Sequence, residues 1–265
     1  MRGSLSTRLT RTVGRFVRSQ PARIDWPGGV VSFSFDDFPR SALTEGGAIL
    51  EKYRLRGTYY AALSLAGQDS DMGPMFDIED IRAAHDRGHE LGCHTYSHLD
   101  CSRTRSAAVL ADISDNTAAF SALLDGFVPV SFAFPFGAVS LGARRALAGR
   151  FASCRGIAAG INSGTADLAH LFSKQVYDRS FDEAELCRLV DRNYRIGGWL
   201  IFFTHDVAAV PSRYGCTPDQ LERMVAYAGE RCDVLPVSEV VGRLRRAQAG
   251  LRRQRSPLSP MPLGI

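Results

Sequence analysis

Three short clusters in this chain hold residue types that can do chemistry, and each follows an apolar run. The first, Phe33-Ser34-Phe35-Asp36-Asp37, sets two adjacent carboxylates at the end of a strand-like stretch. Burying two carboxylates is costly unless something neutralises them. Neighbours on a strand point to different places, so a turn there lets one carboxylate bind a cation while the other handles a proton. The second, Gly92-Cys93-His94-Thr95-Tyr96-Ser97-His98, spaces two histidines four residues apart. Two imidazoles and one carboxylate, with positions left open for water and substrate, make a catalytic metal site. The third, Leu200-Ile201-Phe202-Phe203-Thr204-His205-Asp206, ends a strongly apolar run on a histidine suited to general-acid work. Each signal alone is modest. Paired loop acids are often only solvated, and the spacing of His94 and His98 also arises by chance. His85 and His89 sit at a helix end and read as surface or packing residues.

What positions these clusters is an alternation of strand-like and helix-like stretches from Gly29 onward. Strands are expected at Val30–Asp36, Gly57–Leu63, Glu90–Cys93, Val130–Phe134, Phe151–Cys154, Phe172–Tyr177, Trp199–Thr204 and, briefly, Val234–Leu235. Helices are expected at Ser41–Tyr53 with Ser41 as N-cap, Ile78–Arg87 stopped by Gly88, Ser106–Leu124, Leu141–Gly149, Asp182–Tyr194, Pro218–Gly229 and Val237–Arg246. A short helix over Thr12–Gln20 precedes them, and the stretch up to Leu171 shows little pattern. Repeated βα units imply a parallel sheet covered by helices. About seven strands point to a (β/α) barrel, incomplete or distorted, with a doubly wound open sheet as the competing fold. All three clusters follow strands, and strand C-terminal ends are where both folds keep their active sites.

Composition narrows the partners. With 45% hydrophobic and 23% charged residues the chain is globular, and no apolar run approaches the roughly 18 residues that span a bilayer. The net charge of +4 divides unevenly: residues 1–20 carry +5 and residues 241–265 carry +6, leaving −7 between them. Basic ends on an acidic body suit loose contact with an anionic membrane surface, or are simply solvated. Without interleaved aromatic residues they do not suit nucleic acid. Cys93, Cys101, Cys154, Cys187, Cys216 and Cys232 lack paired spacing, which argues against a disulfide framework or a cysteine zinc site. The arginine-rich start lacks the apolar core of a secretion signal. These features set the expectation of a cytoplasmic protein with a basic segment at 1–24, a catalytic domain at 25–246 and a basic, flexible tail at 247–265.

In order and spacing, Phe35-Asp36-Asp37, His94-Thr95-Tyr96-Ser97-His98 and Thr204-His205-Asp206 resemble the first, second and last motifs of the polysaccharide deacetylase family, the NodB-homology or carbohydrate esterase family 4 group. The resemblance covers about residues 28–240 and implies a metal-dependent amidohydrolase that acts on N-acyl amino sugars. By that resemblance Asp37, His94 and His98 bind a divalent metal, zinc first and cobalt or nickel in relatives. Asp36 is then the general base and His205 the general acid. Pro135 and Phe136 belong to a loop whose backbone N–H, that of Phe136 foremost, stabilises the oxyanion. Tyr96 is the candidate for stacking on a sugar face.

The chain also departs from the family. The third motif usually carries an arginine that pairs with the catalytic aspartate, and here Ala133 stands in its place. Lys174 and Arg179 are the expected substitutes, reaching in from a neighbouring strand end. No clear Asp-x-x-Asp-Trp element is present. The leading expectation is removal of an acetyl or formyl group from an amino sugar carried on a nucleotide or lipid, a precursor of a surface glycan, at the inner membrane face. The alternative on the same fold is an allantoinase-like cyclic amide or imide hydrolase. A non-haem iron oxygenase conflicts with the alternating fold, and a non-catalytic sugar binder has no use for Asp36.

Overall fold

The computed structural model describes residues 19–255, with side chains through residue 248. Eight strands form the main sheet: β1 (Val30–Asp36), β2 (Thr58–Ala61), β3 (Glu90–Cys93), β4 (Ser131–Ala133), β5 (Ser153–Arg155), β6 (Lys174–Gln175), β7 (Trp199–Thr204) and β8 (Asp233–Val234). The helices are α1 (Ala48–Lys52), α2 (Ile78–Asp86), α3 (Ser106–Leu123), α4 (Leu141–Leu147), α5 (Glu183–Ile196), α6 (Pro218–Gly229) and α7 (Val237–Arg255). The sheet runs β6-β7-β1-β2-β3-β4-β5, every pairing parallel, and β8 pairs with the first half of β1. The segment leading into β6 also bridges to β5 through Leu171 and Arg155. The sheet therefore curls into the seven-stranded, incomplete barrel that the βα alternation implies.

Period-two alternation divides each strand between two environments. Val31, Phe33 and Phe35 of β1, Leu200 and Phe202 of β7, and Tyr59 and Ala61 of β2 lie in one apolar cluster, together with residues of α1, α2, α5 and α6. Val30, Trp199 and Ile201 belong to a second cluster with Val237, Val240, Val241 and Leu244 of α7. Ala22 and Ile24 join it from the antiparallel ribbon Pro21–Ile24 with Gly164–Asp167, so this cluster fills the N-terminal end of the sheet. Because β1 is covered on both sides, all seven of its residues are buried, and it reads as an apolar run apart from Ser32, Ser34 and the terminal Asp36. Those serines satisfy themselves inside the sheet, Ser32 donating to the Leu235 carbonyl (2.7 Å) and Ser34 to that of Phe202 (3.0 Å).

Several elements differ from the sequence reading. Over Ser41–Tyr53 the chain makes a π-helical stretch, Ala42–Gly47, before α1. Ser41 does not cap it: its backbone is already helical and its hydroxyl accepts from Val207 N–H (3.2 Å) instead. The stretch with little pattern contains the ribbon strand Gly164–Asp167. Pro21–Ile24 belongs to the fold rather than to a basic lead segment, and α7 continues from the expected stop at Arg246 to Arg255. Most of the Thr12–Gln20 helix and the last ten residues lie outside the described residues.

Candidate active site

The alternation that sorts the core also aims the chemistry. Asp36 shares the inner face of β1 with Val30, Ser32 and Ser34. His94 continues the inner face of β3 after Glu90 and Gly92, and His205 that of β7 after Trp199, Ile201 and Phe203. All three emerge at the C-terminal end of the sheet.

Asp37 departs from the strand with φ 59°, Phe38 follows at 63°, Thr95 and His98 stand at 63° and 53°, and Phe136 at 57°. Among the described residues only seven non-glycine residues have positive φ, and five of them are in these three loops. Backbone strain at that density belongs to a site whose geometry is fixed by its surroundings.

Those turns bring three ligand-type atoms together. Asp37 Oδ1 lies 3.2 Å from His94 Nε2 and 2.9 Å from His98 Nε2. His94 Nδ1 sits 2.8 Å from the Ala133 carbonyl, which can only accept, so Nδ1 carries the hydrogen and Nε2 of the neutral ring presents a bare lone pair. Asp37 Oδ1 is itself buried without a satisfied hydrogen bond. Lone pairs converging in this way fit a divalent cation, and these three residues form the one such His/Cys/Asp/Glu group among the described residues. Burial alone would raise the Asp37 carboxyl, but with the two imidazoles protonated their charge outweighs it and holds the group well below its ordinary range. His205 faces the other carboxylate oxygen, its Nε2 3.9 Å from Asp37 Oδ2.

Helix α3 fixes the histidine turn with two side chains one helical turn apart. Asp112 accepts from the N–H groups of Tyr96 (2.7 Å) and Ser97 (3.1 Å) and from the Ser97 hydroxyl (2.6 Å). Asn116, fully buried, accepts from Leu63 N–H (3.0 Å) and donates to the Ala61 carbonyl (3.0 Å), and it lies 3.3 Å from Cys93 Sγ. It thereby ties together the ends of β2 and β3, the latter immediately before His94. Sequence reasoning passed over both residues, because a polar residue on the buried side of α3 looks like noise until its backbone partners are known.

Neither expected partner of Asp36 reaches it. Lys174 pairs with Glu185 (2.7 Å), and the Arg179 guanidinium lies over the rings of Tyr177 and Tyr214. The cation on Asp36 is Arg155, whose Nη2 bonds Asp36 Oδ1 while its Nη1 donates to the Gly156 carbonyl (3.1 Å). Arg155 is 1% exposed and its guanidinium lies between the rings of Tyr60 (5.1 Å) and Phe203 (4.9 Å). Burial works against its charge, but Asp36 more than compensates and raises its pKa. Ala133 and Arg155 are register partners on adjacent parallel strands. The missing cation has thus moved one strand over, and the small Ala133 side chain leaves it room.

The other predicted residues divide. Pro135 is buried and starts a short 3-10 turn, Pro135–Gly137. Phe136 is 63% exposed with its ring 4.5 Å from that of His98, at the rim of the site. Tyr96 lines a groove of about 290 Å³ with Leu63, Phe76, Ile78, Ile81 and Leu123, between α2 and α3. The rings bordering His205 are instead Tyr177 (5.9 Å) and Tyr214 (5.4 Å). All six cysteines are free thiols, five of them buried, and none joins the metal group.

Residues 24–149 match the family model described as polysaccharide deacetylase. A chitin deacetylase of Arthroderma benhamiae is 27% identical over 113 residues, 42% of this chain and 29% of the relative, so the match spans under a third of that protein's length. Among solved structures, a family 4 acetyl xylan esterase from Clostridium thermocellum, in complex with a cobalt ion, superposes with a TM-score of 0.58 at 19% identity, covering 83% of this chain and 92% of that one. The chitin deacetylase of Colletotrichum lindemuthianum gives 0.54 at 18% identity, covering 85% and 93%. Over residues 24–149, just under half of its length, the chain is thus similar to the polysaccharide deacetylase family, and the solved relatives share its fold.

Proposed function

We propose that this protein is a divalent-metal hydrolase that removes an acetyl or formyl group from the nitrogen of an amino sugar carried on a nucleotide or a lipid. The observation that carries the reading is the convergence, at one end of the sheet, of Asp37, His94 and His98 with two further proton-handling side chains, Asp36 and His205. A cation held by Asp37, His94 and His98, zinc in the first instance, supplies Lewis-acid polarisation of the acyl oxygen and makes water nucleophilic at neutral pH.

The protein's own groups do the rest. Asp36, held by Arg155, takes the proton of the attacking water. His205, on the opposite side of Asp37 from the other two histidines, gives a proton to the leaving amine. Dividing base and acid between two residues suits an amide, whose nitrogen must be protonated before it leaves. The Phe136 N–H, on the turn beside His98, serves the developing oxyanion. We take the catalytic unit to include, beyond the expected 25–246, the paired strand Pro21–Ile24 at one end and the rest of α7 at the other. A cytoplasmic setting, with the basic ends against an anionic membrane face, completes the reading. No described helix is long and apolar enough to cross a membrane.

The test is amine release from N-acetyl and N-formyl amino sugars, each presented on a nucleotide and on a polyprenyl phosphate, with allantoin alongside. Amine release from one of the sugars, lost in Asp36→Asn, supports the proposal and names the acyl group. Turnover of allantoin alone replaces it with the cyclic-amide reading.

A further inference from the structure

Two arginines stand at the mouth of the site without an anionic partner. Arg179 belongs to the short turn Asp178–Ser180 that follows β6, and Arg213 to the loop that follows β7. Both therefore lie at the C-terminal end of the sheet, where the catalytic groups also emerge, and both are exposed. Arg179 lies 5.8 Å from the ring centroids of Tyr177 and Tyr214, and Arg213 lies 4.6 Å from that of Tyr214. The two tyrosines are 6.0 Å apart, roughly perpendicular, and both border His205.

Among the described residues neither arginine makes an ion pair or a hydrogen bond. Elsewhere in the body Arg40, Arg144, Arg155, Arg223 and Arg231 each meet a carboxylate. The neighbouring acids are engaged elsewhere. Asp178 accepts from the Gln220 amide (2.9 Å), and the buried Asp206 accepts from the Ser212 N–H (2.7 Å) and hydroxyl (2.6 Å). The Asp206 contacts also anchor the loop that presents Arg213 and Tyr214. A guanidinium laid on an aromatic face keeps its N–H edges free, and those edges match two oxygens of a phosphate at once.

We propose that Arg179 and Arg213, held on Tyr177 and Tyr214, form a subsite for a phosphate or diphosphate attached to the sugar whose acyl group lies at the catalytic centre. The inference rests on the reading of the site as an amino-sugar deacylase and specifies its substrate as an anionic conjugate rather than a neutral oligosaccharide. The phosphate can be borne by a nucleotide or by a lipid.

The test separates these and does not need turnover. Binding to metal-loaded Asp36→Asn protein is measured by calorimetry for UDP-N-acetylglucosamine, for polyprenyl-phosphate N-acetylglucosamine in detergent micelles, and for the neutral N,N′-diacetylchitobiose. Adding Arg179→Gln or Arg213→Gln should weaken the phosphate-bearing ligand about tenfold each, the loss of one charge-assisted contact. The pair together should weaken it by more, with chitobiose unchanged. Dependence confined to the nucleotide or to the prenyl ligand assigns the carrier. Equal weakening of chitobiose, or no weakening of either phosphate ligand, overturns the subsite. Phosphate dependence in a protein that deacylates none of these sugars leaves the subsite standing and removes the deacylase reading instead.

Discussion

Replacing Arg155 with Met tests the arrangement around the proposed base. The side chains of Arg155 and Asp36 are 1% and 5% exposed, so the substitution strands a carboxylate where water cannot solvate it. Breaking a buried pair from one side costs about 3–5 kcal/mol, against a total of about 5–15 kcal/mol for a typical domain. Methionine fills much of the space between the Tyr60 and Phe203 rings, so the loss reports charge more than cavity. Asp36→Asn strands the guanidinium in the same way. The double variant carries neither charge, and its loss should fall short of the sum of the two by at least ~2 kcal/mol. Urea unfolding at pH 7 with a chelator present measures all three against the unmodified protein, and keeps differences in metal affinity out of the comparison. Losses that simply add, to within about 0.5 kcal/mol, would refute the reasoning, because the two groups would then not depend on each other.

Other outcomes follow from the same structure. Asp112→Ala frees the Tyr96 and Ser97 N–H groups, and should lower metal affinity about 10- to 100-fold in a chelator competition while leaving the fold intact. Gly92→Ala puts a methyl group 2.4 Å from the Tyr60 ring and 2.9 Å from the Ser131 hydroxyl. It should destabilise by about 1–3 kcal/mol in denaturant. Burial raises the Asp167 carboxyl, but Arg144 and the Ser19, Gln20 and Ala169 N–H groups pull it below its ordinary value. A depressed carboxyl contributes stability that is full above the unfolded value, about 4, and is lost as the pH falls through the folded one. The stability of Asp167→Asn should therefore fall less between pH 6 and pH 3 than that of the unmodified protein, a range in acid unfolding set by those values.

Much of this was legible in the sequence because burial on both faces leaves strong marks. Trp199–Thr204, Glu90–Cys93 and Pro218–Gly229 have the bounds that their patterns predict. The carboxylate pair and the histidine pair meet because each follows a strand of one parallel sheet. What pattern alone could not supply was contact across strands. Arg155 was missed because a charge at the end of Ser153-Cys154-Arg155 looks like the start of a loop. Yet it continues the inner alternation that also places Asp36, His94 and His205, and register alone sets it beside Ala133. Lys174 and Arg179 lie near a strand end in sequence, but that nearness does not say which way a side chain leaves. Asp112 and Asn116 act on backbone groups, which carry no mark in the sequence. Ser41 had the residue type of a cap, but the chain enters the helix before reaching it and its hydroxyl goes to Val207.

The measurement that bears most directly on the account is the metal content of the purified protein beside its amine-releasing activity, for the unmodified chain, Asp36→Asn and the paired His94→Ala/His98→Ala variant. About one divalent ion per chain is expected in the first two and none in the third, with amine released only by the first. Amine release that survives complete removal of metal, or in the paired histidine variant, would contradict this expectation.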